Sequence, residues 1–342
     1  MKRVALSLAL VAGLVSSSAM AADMATKAPP AAAPPPSPWD VAISAALMTD
    51  YNFRGITQSA HNPSTQAGFE LRYNQSSTLQ YYAGISGESI DFPNNAAAEI
   101  DFYGGFRPTF DKLALDFGFW YYWYPGGNCY GISGGGGAGG CNGAVDGSFL
   151  GVPSKNTPPG FVGNVVKANE SFYEFYAKAT YTINDQWAAG IQEWYSPSVS
   201  NTGASGWYTV GNVTYTAPSS WFPANSGIGG YISADLGYWA LGTSDAFYGN
   251  GISGAPQEFG TNYTSYWNWD AGFGWTYKAF TLDLRYYDTG LNKAECNAFT
   301  SASNSTPGQA FTFQNTDDLG SNWCSAAYIA KLSFAANLSG LK

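Results

Sequence analysis

Charge is what this chain has least of. Asp, Glu, Lys and Arg together make up 11% of its 342 residues, against roughly a quarter in soluble domains. Histidine is scarcer still, with His61 alone. Ser-His or Asp-His chemistry would have to use that one residue as base. It lies in a polar stretch, Ser59-Ala60-His61-Asn62-Pro63, and no strand-to-helix nucleophile elbow accompanies it. No enzyme is expected. The four cysteines include no C-x-x-C pair, so neither a metal site nor a cofactor is expected. Basic residues are in deficit, 15 against 24 acidic, for a formal net charge of −9. That argues against nucleic acid as a partner. Beyond the N-terminus, no apolar run reaches the roughly eighteen residues of a membrane-spanning helix.

Aromatic side chains and glycine fill the gap: 17% Phe, Trp and Tyr, and 41 glycines. The first residues read as a secretory signal, with Lys2 and Arg3 as charged start, Val4 to Val15 as apolar stretch and Ala19-Met20-Ala21 as cleavage motif. Removing residues 1–21 takes away Lys2 and Arg3, leaving 13 basic against 24 acidic residues, a net of −11. Residues 22–38 form a Pro/Ala-rich leader (APPAAAPPPSP at its end), read as a stiff periplasmic spacer. Residues 39–342 remain for the folded domain.

That domain opens with WDVAISAALMTDYNFR, Trp39 to Arg54. Val41, Ile43, Ala45, Leu47, Thr49, Tyr51 and Phe53 fall on one face, small or charged residues on the other. Period two sustained for ten or more residues suits a tilted membrane strand, which needs about nine to eleven. The pattern recurs, predicting strands at 40–54, 66–74, 79–90, 98–107, 113–124, 171–181, 187–196, 207–217, 228–241, 263–277, 280–288 and 324–336. Their links alternate short and long, as periplasmic turns and extracellular loops do. The link 218–227 is too long for its place and raises the question of a slipped register. The expected fold is all-β, an antiparallel up-and-down transmembrane barrel of about twelve strands.

Charge placement fits that fold. In the less apolar phase of the strands lie Asp50, Glu70, Glu88, Glu99, Asp101, Asp116, Glu174, Asp235, Asp270 and Asp283, with Arg54, Arg72, Arg107, Lys178, Arg285 and Lys331. These are the candidate lumen-lining residues. Glu193 and Asp288 alone take the lipid phase, near outer strand ends. Glu99 and Asp101, two apart, share a strand face and could suit glycosidase or calcium chemistry. Ion pairing with Arg107 and the other inward bases is the plainer expectation. Rings gather at strand ends: Tyr51, Phe53, Trp120 to Tyr124, Trp194, Tyr195, Trp207, Trp267, Trp269, Tyr286 and Tyr287 at an outer girdle, Trp187, Trp275 and Tyr277 at an inner one. Inward Tyr103, Trp120, Tyr122, Tyr124, Trp194 and Tyr208 would constrict the lumen. Cys129, Cys141, Cys296 and Cys324 suit an oxidising compartment; of three pairings, Cys129–Cys141 with Cys296–Cys324 keeps each bridge within one loop region. The run Gly134–Gly140 lacks the Lys-Ser/Thr ending of a phosphate loop and reads as a flexible tip.

Met48 to Gln58, MTDYNFRGITQ, with Pro63, Gln66-Ala67-Gly68 and Tyr82-Ala83-Gly84, resembles the first hairpin of the TorF family of proteobacterial porins. Glu99-Ile100-Asp101, Tyr103-Gly104-Gly105 and Tyr124-Pro125-Gly126 extend the likeness, which covers about residues 41–126. The segment AADMATKAP is similar to the leader of alphaproteobacterial outer-membrane proteins. The chain departs from the family in its length, its cysteine-bearing loops and an end that is not aromatic: Phe334 is in phase, but Leu338 to Lys342 follow. The resemblance implies an outer-membrane barrel.

The expected function is a porin-like channel for passive diffusion of small hydrophilic solutes, mildly cation-selective because inward acids outnumber inward bases. The loop 125–170 could fold in as a plug. The alternatives are a non-conducting barrel acting through disulfide-tied loops and, more remotely, a hydrolase using His61. Outer-membrane lipid and the barrel-assembly machinery are the expected partners; monomer and trimer stay open.

Overall fold

The computed structural model describes residues 38–128, 166–245, 248, 260–302, 304–309 and 319–338. Alternation of outward apolar and inward polar residues builds twelve long strands: β1 Trp39–Met48, β2 Ser64–Ser76, β3 Leu79–Glu88, β4 Glu99–Phe110, β5 Leu113–Trp123, β6 Phe172–Thr182, β7 Trp187–Ser196, β8 Gly206–Thr216, β9 Ile228–Leu241, β10 Tyr266–Tyr277, β11 Phe280–Thr289 and β12 Ala327–Asn337. Each pairs antiparallel with its chain neighbours, and β1 pairs with β12 (Ala45 opposite Phe334), closing the ring. Closure removes every edge, so each strand's backbone groups have partners without water. This is the architecture of outer-membrane β-barrels.

The outside is apolar. On β10, Trp267, Trp269, Phe273, Trp275 and Tyr277 are exposed while Tyr266 and Asn268 are buried. Leu47, Phe69, Ile85, Phe102, Phe175 and Ile232 continue the outer face around the ring. An apolar surface of this extent is stable in lipid and a liability in water. The inner girdle of Trp187, Trp275 and Tyr277 lies outward as expected. The outer girdle divides. Tyr195, Trp207, Trp267, Trp269, Tyr286 and the 121 and 123 rings face outward, whereas Tyr122, Tyr124 and Trp194 are buried in the lumen. Glu193 and Asp288, the lipid-phase acids, accept hydrogen bonds from Thr209 Oγ1 at 2.7 Å and the Tyr286 hydroxyl at 2.7 Å.

Turns join strands at the end that carries both Trp39 and Asn337; loops fill the other end. Asp111 and Lys278 adopt left-handed φ of +51° and +53° to close two of the tight turns. The link after β8 is long in fact: Thr216 pairs with Tyr231, and the turn Ser219–Trp221 occupies the space between. No register has slipped. The first strand is shorter than its sequence pattern. It stops at Met48, and Tyr51 to Thr57 turn inward, with a small hairpin pairing Asn52–Phe53 to Ile56–Thr57. Among the described residues an α-helix, α1 (Lys293–Thr300), stands in the loop after β11, capped reciprocally by Asn292 and Glu295.

Candidate functional site in the barrel lumen

The lumen holds three groups of inward charge and, at the loop end, a packed plug. The plug begins with the hairpin of loop 49–63. Asn52 Oδ1 accepts from Gly55 N at 2.8 Å, a side-chain turn that doubles the chain back. Gly55 has φ of +83°, and a Cβ there would meet Thr289 Cγ2 at 2.2 Å, so only glycine fits. The turn projects Arg54 across the lumen. Its guanidinium forms two hydrogen bonds with Glu174 of β6, at 2.9 and 2.7 Å. It also lies 4.3 Å from the Tyr208 ring centre on β8 and 4.4 Å from that of Trp239 on β9. The Tyr266 hydroxyl on β10 donates to the Arg54 carbonyl at 3.1 Å. A segment leaving β1 is thus anchored about halfway round the ring. Both side chains of the ion pair are almost fully buried, and a bidentate, ring-stacked arginine is well suited to such a place.

Above the hairpin, α1 and the segment before β12 complete the plug. Cys296 and Cys324 form a disulfide, Phe299 packs on Trp239 at 5.6 Å, and Thr57 N donates to the Trp323 carbonyl at 2.9 Å. The Cys129–Cys141 expectation and most of loop 125–170, including its role as a plug, lie outside the described residues. A cavity of about 70 Å³ lined by Phe53, Ile56, Phe92, Tyr124 and Phe299 is left between these elements.

Below the plug, one wall carries Glu70 of β2 between two guanidiniums: Arg72 at 2.5 Å and Arg107 at 2.9 Å. Arg107 also reaches Asp116 at 3.3 Å and lies 3.6 Å from the Tyr82 ring centre. Asp116 faces Lys178 in register, and the Lys178 ammonium sits 4.4 Å over the Tyr176 ring. The opposite wall carries Arg285 paired with Asp270 and, at 3.1 Å, with Asp283. Asp235 stands across from Asp270, and Lys331 across from Asp283 while donating to Gln66 at 3.1 Å. Rings line the space between: Tyr103 stacks on Trp120 at 4.1 Å.

The third group is three acids with no base in direct contact among the described ion pairs. Glu88 and Glu99 are direct cross-strand neighbours on β3 and β4, with Asp101 one inward position along. Arg107 does not reach them, so the pairing expected of Glu99 and Asp101 with it is corrected: Arg107 is engaged by Glu70 and Asp116. Asp50 is corrected in another way. It lies past the end of β1, buried, accepting from Ser59 Oγ at 3.0 Å and facing His61 Nδ1 at 2.8 Å. Arg54 likewise belongs to the hairpin rather than to a strand. His61 Nε2 lies 2.9 Å from the Asn322 carbonyl, beside a cleft of about 390 Å³ lined by Thr49, Ser325 and Tyr328. A carbonyl occupies the place a nucleophile's hydroxyl would need for hydrolysis. Hydrogen bonds to Asp50 first, and to Asn322, hold the imidazole pKa above its usual value against partial burial.

The hairpin plug was missed in the sequence because alternation continues through Thr49, Tyr51 and Phe53. The breaking signal was Asn52 followed three residues later by Gly55, an Asx turn. The helix carried its own signal, the capping pair Asn292 and Glu295.

No curated protein matches the chain. Solved structures of similar architecture include OmpT, an outer-membrane protein of Vibrio cholerae, 9% identical with 87% of this chain and 98% of that chain covered at a TM-score of 0.32. A Pseudomonas aeruginosa FadL homologue is 11% identical, with coverages of 87% and 89% and a TM-score of 0.36. LpxR from Salmonella typhimurium is 10% identical, with coverages of 86% and 99% and a TM-score of 0.35. Residues 32–133, the leader's end through β5 and the segment on which the porin-family resemblance was read, match a bacterial protein family of unknown function, Gcw_chp.

Proposed function

We propose that the chain is exported by a signal cleaved after Ala21, folded into the outer membrane by the barrel-assembly machinery, and serves there as a narrow channel for small hydrophilic solutes. One observation carries the reading: the ring of twelve strands is apolar outside and lined inside by charge. Lipid is the partner of the first surface, water and small solutes of the second. Twelve strands enclose less than the sixteen of a general porin, and the Arg54 hairpin narrows the loop end further. Inward acids outnumber inward bases, which favours cations. His61 is given no catalytic role.

A second reading, a barrel that does not conduct and acts through its outer surface, is favoured by the plug itself. Swelling of liposomes loaded with the protein separates the two. A channel of this bore admits amino-acid-sized solutes and excludes oligosaccharides. Folded barrels that give no swelling with any solute would leave the second reading.

A further inference from the structure

We infer that Glu88, Glu99 and Asp101 form a binding site for one divalent cation, of the calcium type, in the wall of the lumen. The inference is independent of whether the barrel conducts. Their side chains offer carboxylate oxygens that all lie within 4.8 Å of one another. A cation holding oxygens at about 2.3–2.6 Å can span ligands about 5 Å apart, which fits Ca²⁺, whereas Mg²⁺ at about 2.0–2.1 Å needs them closer.

Burial and pairing point the same way. Glu88, Glu99 and Asp101 are 3%, 2% and 3% exposed. Glu88 Oε2 and Asp101 Oδ1 have no hydrogen-bond partner, although both are buried. The other oxygens are held in place: Glu88 Oε1 by Gln66 at 2.7 Å, Asp101 Oδ2 by Ser86 at 3.1 Å, and Glu99 by the Tyr51 and Tyr124 hydroxyls at 2.6 and 2.7 Å. These donors are neutral and orient the carboxylates; the Lys331 ammonium acts on Glu88 from beyond Gln66, to which it donates at 3.1 Å.

The lumen shows how unusual this is. Like charges directly opposite on adjacent strands destabilise a sheet, and among the described residues the lumen has two such pairs. At Asp235 and Asp270 an arginine compensates, since Arg285 binds Asp270. At Glu88 and Glu99 no described ion pair does: the neighbouring guanidiniums are held by Glu70 and Asp116, and the Lys331 ammonium, which acts on Glu88 from a distance, donates to Gln66. A buried carboxylate needs a charge partner, a metal or a proton. Three hard oxygen donors, two with orphan atoms, suit the metal.

The test uses the chain refolded in detergent, freed of metal with chelator and checked for folding by heat-modifiable gel mobility. Tb³⁺, a luminescent stand-in for Ca²⁺, is titrated while the protein's tyrosines and tryptophans are excited. Tyr51 and Tyr124 touch Glu99, so a Tb³⁺ in the site is sensitised. One saturable site per chain is expected, displaced by Ca²⁺ and at least about tenfold less well by Mg²⁺. Asp101→Asn and Glu88→Gln each weaken it at least about tenfold, and Glu88→Gln also relieves the cross-strand repulsion, so it folds. Asp185→Asn, an exposed acid in a turn, leaves it unchanged. Absence of a saturable signal in the unaltered chain would overturn the site and leave protons as the triad's partners. Full affinity in folded Glu88→Gln and Asp101→Asn would overturn it equally.

Discussion

His61 stands between two acceptors, the Asp50 carboxylate at 2.8 Å and the Asn322 carbonyl at 2.9 Å. Both ring nitrogens must donate for both contacts to hold, which selects the imidazolium. Its pKa is therefore raised. A raised value stabilises the folded state fully below the ordinary histidine value of about 6.5, and the contribution is lost as pH climbs through the folded value. The contact pins loop 49–63 to the segment before β12, and for a pair whose histidine is partly exposed it is worth on the order of 1 kcal/mol. Amide protection factors at residues 59–62 and 321–323 are expected to fall between pH 6 and pH 8.5. Replacing His61 with Ala should flatten that dependence; a profile unchanged in the variant would refute the pin. The contacts of His61 cannot be read from its polar stretch, because a lone histidine carries no record of its acceptors, one of which is 261 residues away. The inward charges were more legible. Their side of each strand follows from period two, and Glu70, Asp116, Glu174 and Arg285 are all buried inside. Which acid pairs with which base was not legible, since that depends on stagger between strands.

At the scale of elements, inward glycines decide where rings lie. A Cβ on Gly84 of β3 would come within 2.3 Å of Tyr103 Cζ on β4, and one on Gly118 of β5 within 2.4 Å of the Tyr176 hydroxyl on β6. The missing side chain lets the neighbour's ring lie against the wall. Gly84→Ala is expected to cost about 1–3 kcal/mol in urea unfolding from micelles, with Tyr103→Ala restoring part of it. An alanine as stable as the original would mean the ring is not seated there. The disulfide works on a different element. Cys296 and Cys324 close a link 28 residues apart, for which chain entropy predicts about 3.6 kcal/mol. Replacing both with serine should make α1 and loop 290–326 proteolysed faster while the barrel keeps its heat-modifiable mobility. Loss of the barrel as well would show that the plug is part of its folding unit. Strand limits were read from the sequence to within a few residues, because each strand must cross the same thickness of lipid. The overrun of the first strand past Met48 has a physical cause: the rings that fit a girdle also fit a plug, and alternation does not distinguish them.

At the scale of the molecule, a barrel apolar outside and charged inside is crossed at its loop end by one hairpin whose Arg54 grips Glu174 on the far wall. The fold was legible because closure and alternation are repeated twelve times. The plug was not, because it rests on long-range contacts that leave no period in the sequence; Arg54 and Glu174 are 120 residues apart. Removing one partner leaves a buried charge alone, at a cost of about 3–5 kcal/mol, so a variant in which both are neutral isolates the effect on the lumen. The decisive measurement is single-channel conductance in a planar bilayer under a salt gradient, comparing the unaltered chain with the Arg54→Ala, Glu174→Ala double variant. The account predicts small ohmic steps with a cation-selective reversal potential for the unaltered chain, and larger steps for the double variant. Folded barrels of both forms that never conduct, or that conduct identically, would contradict it.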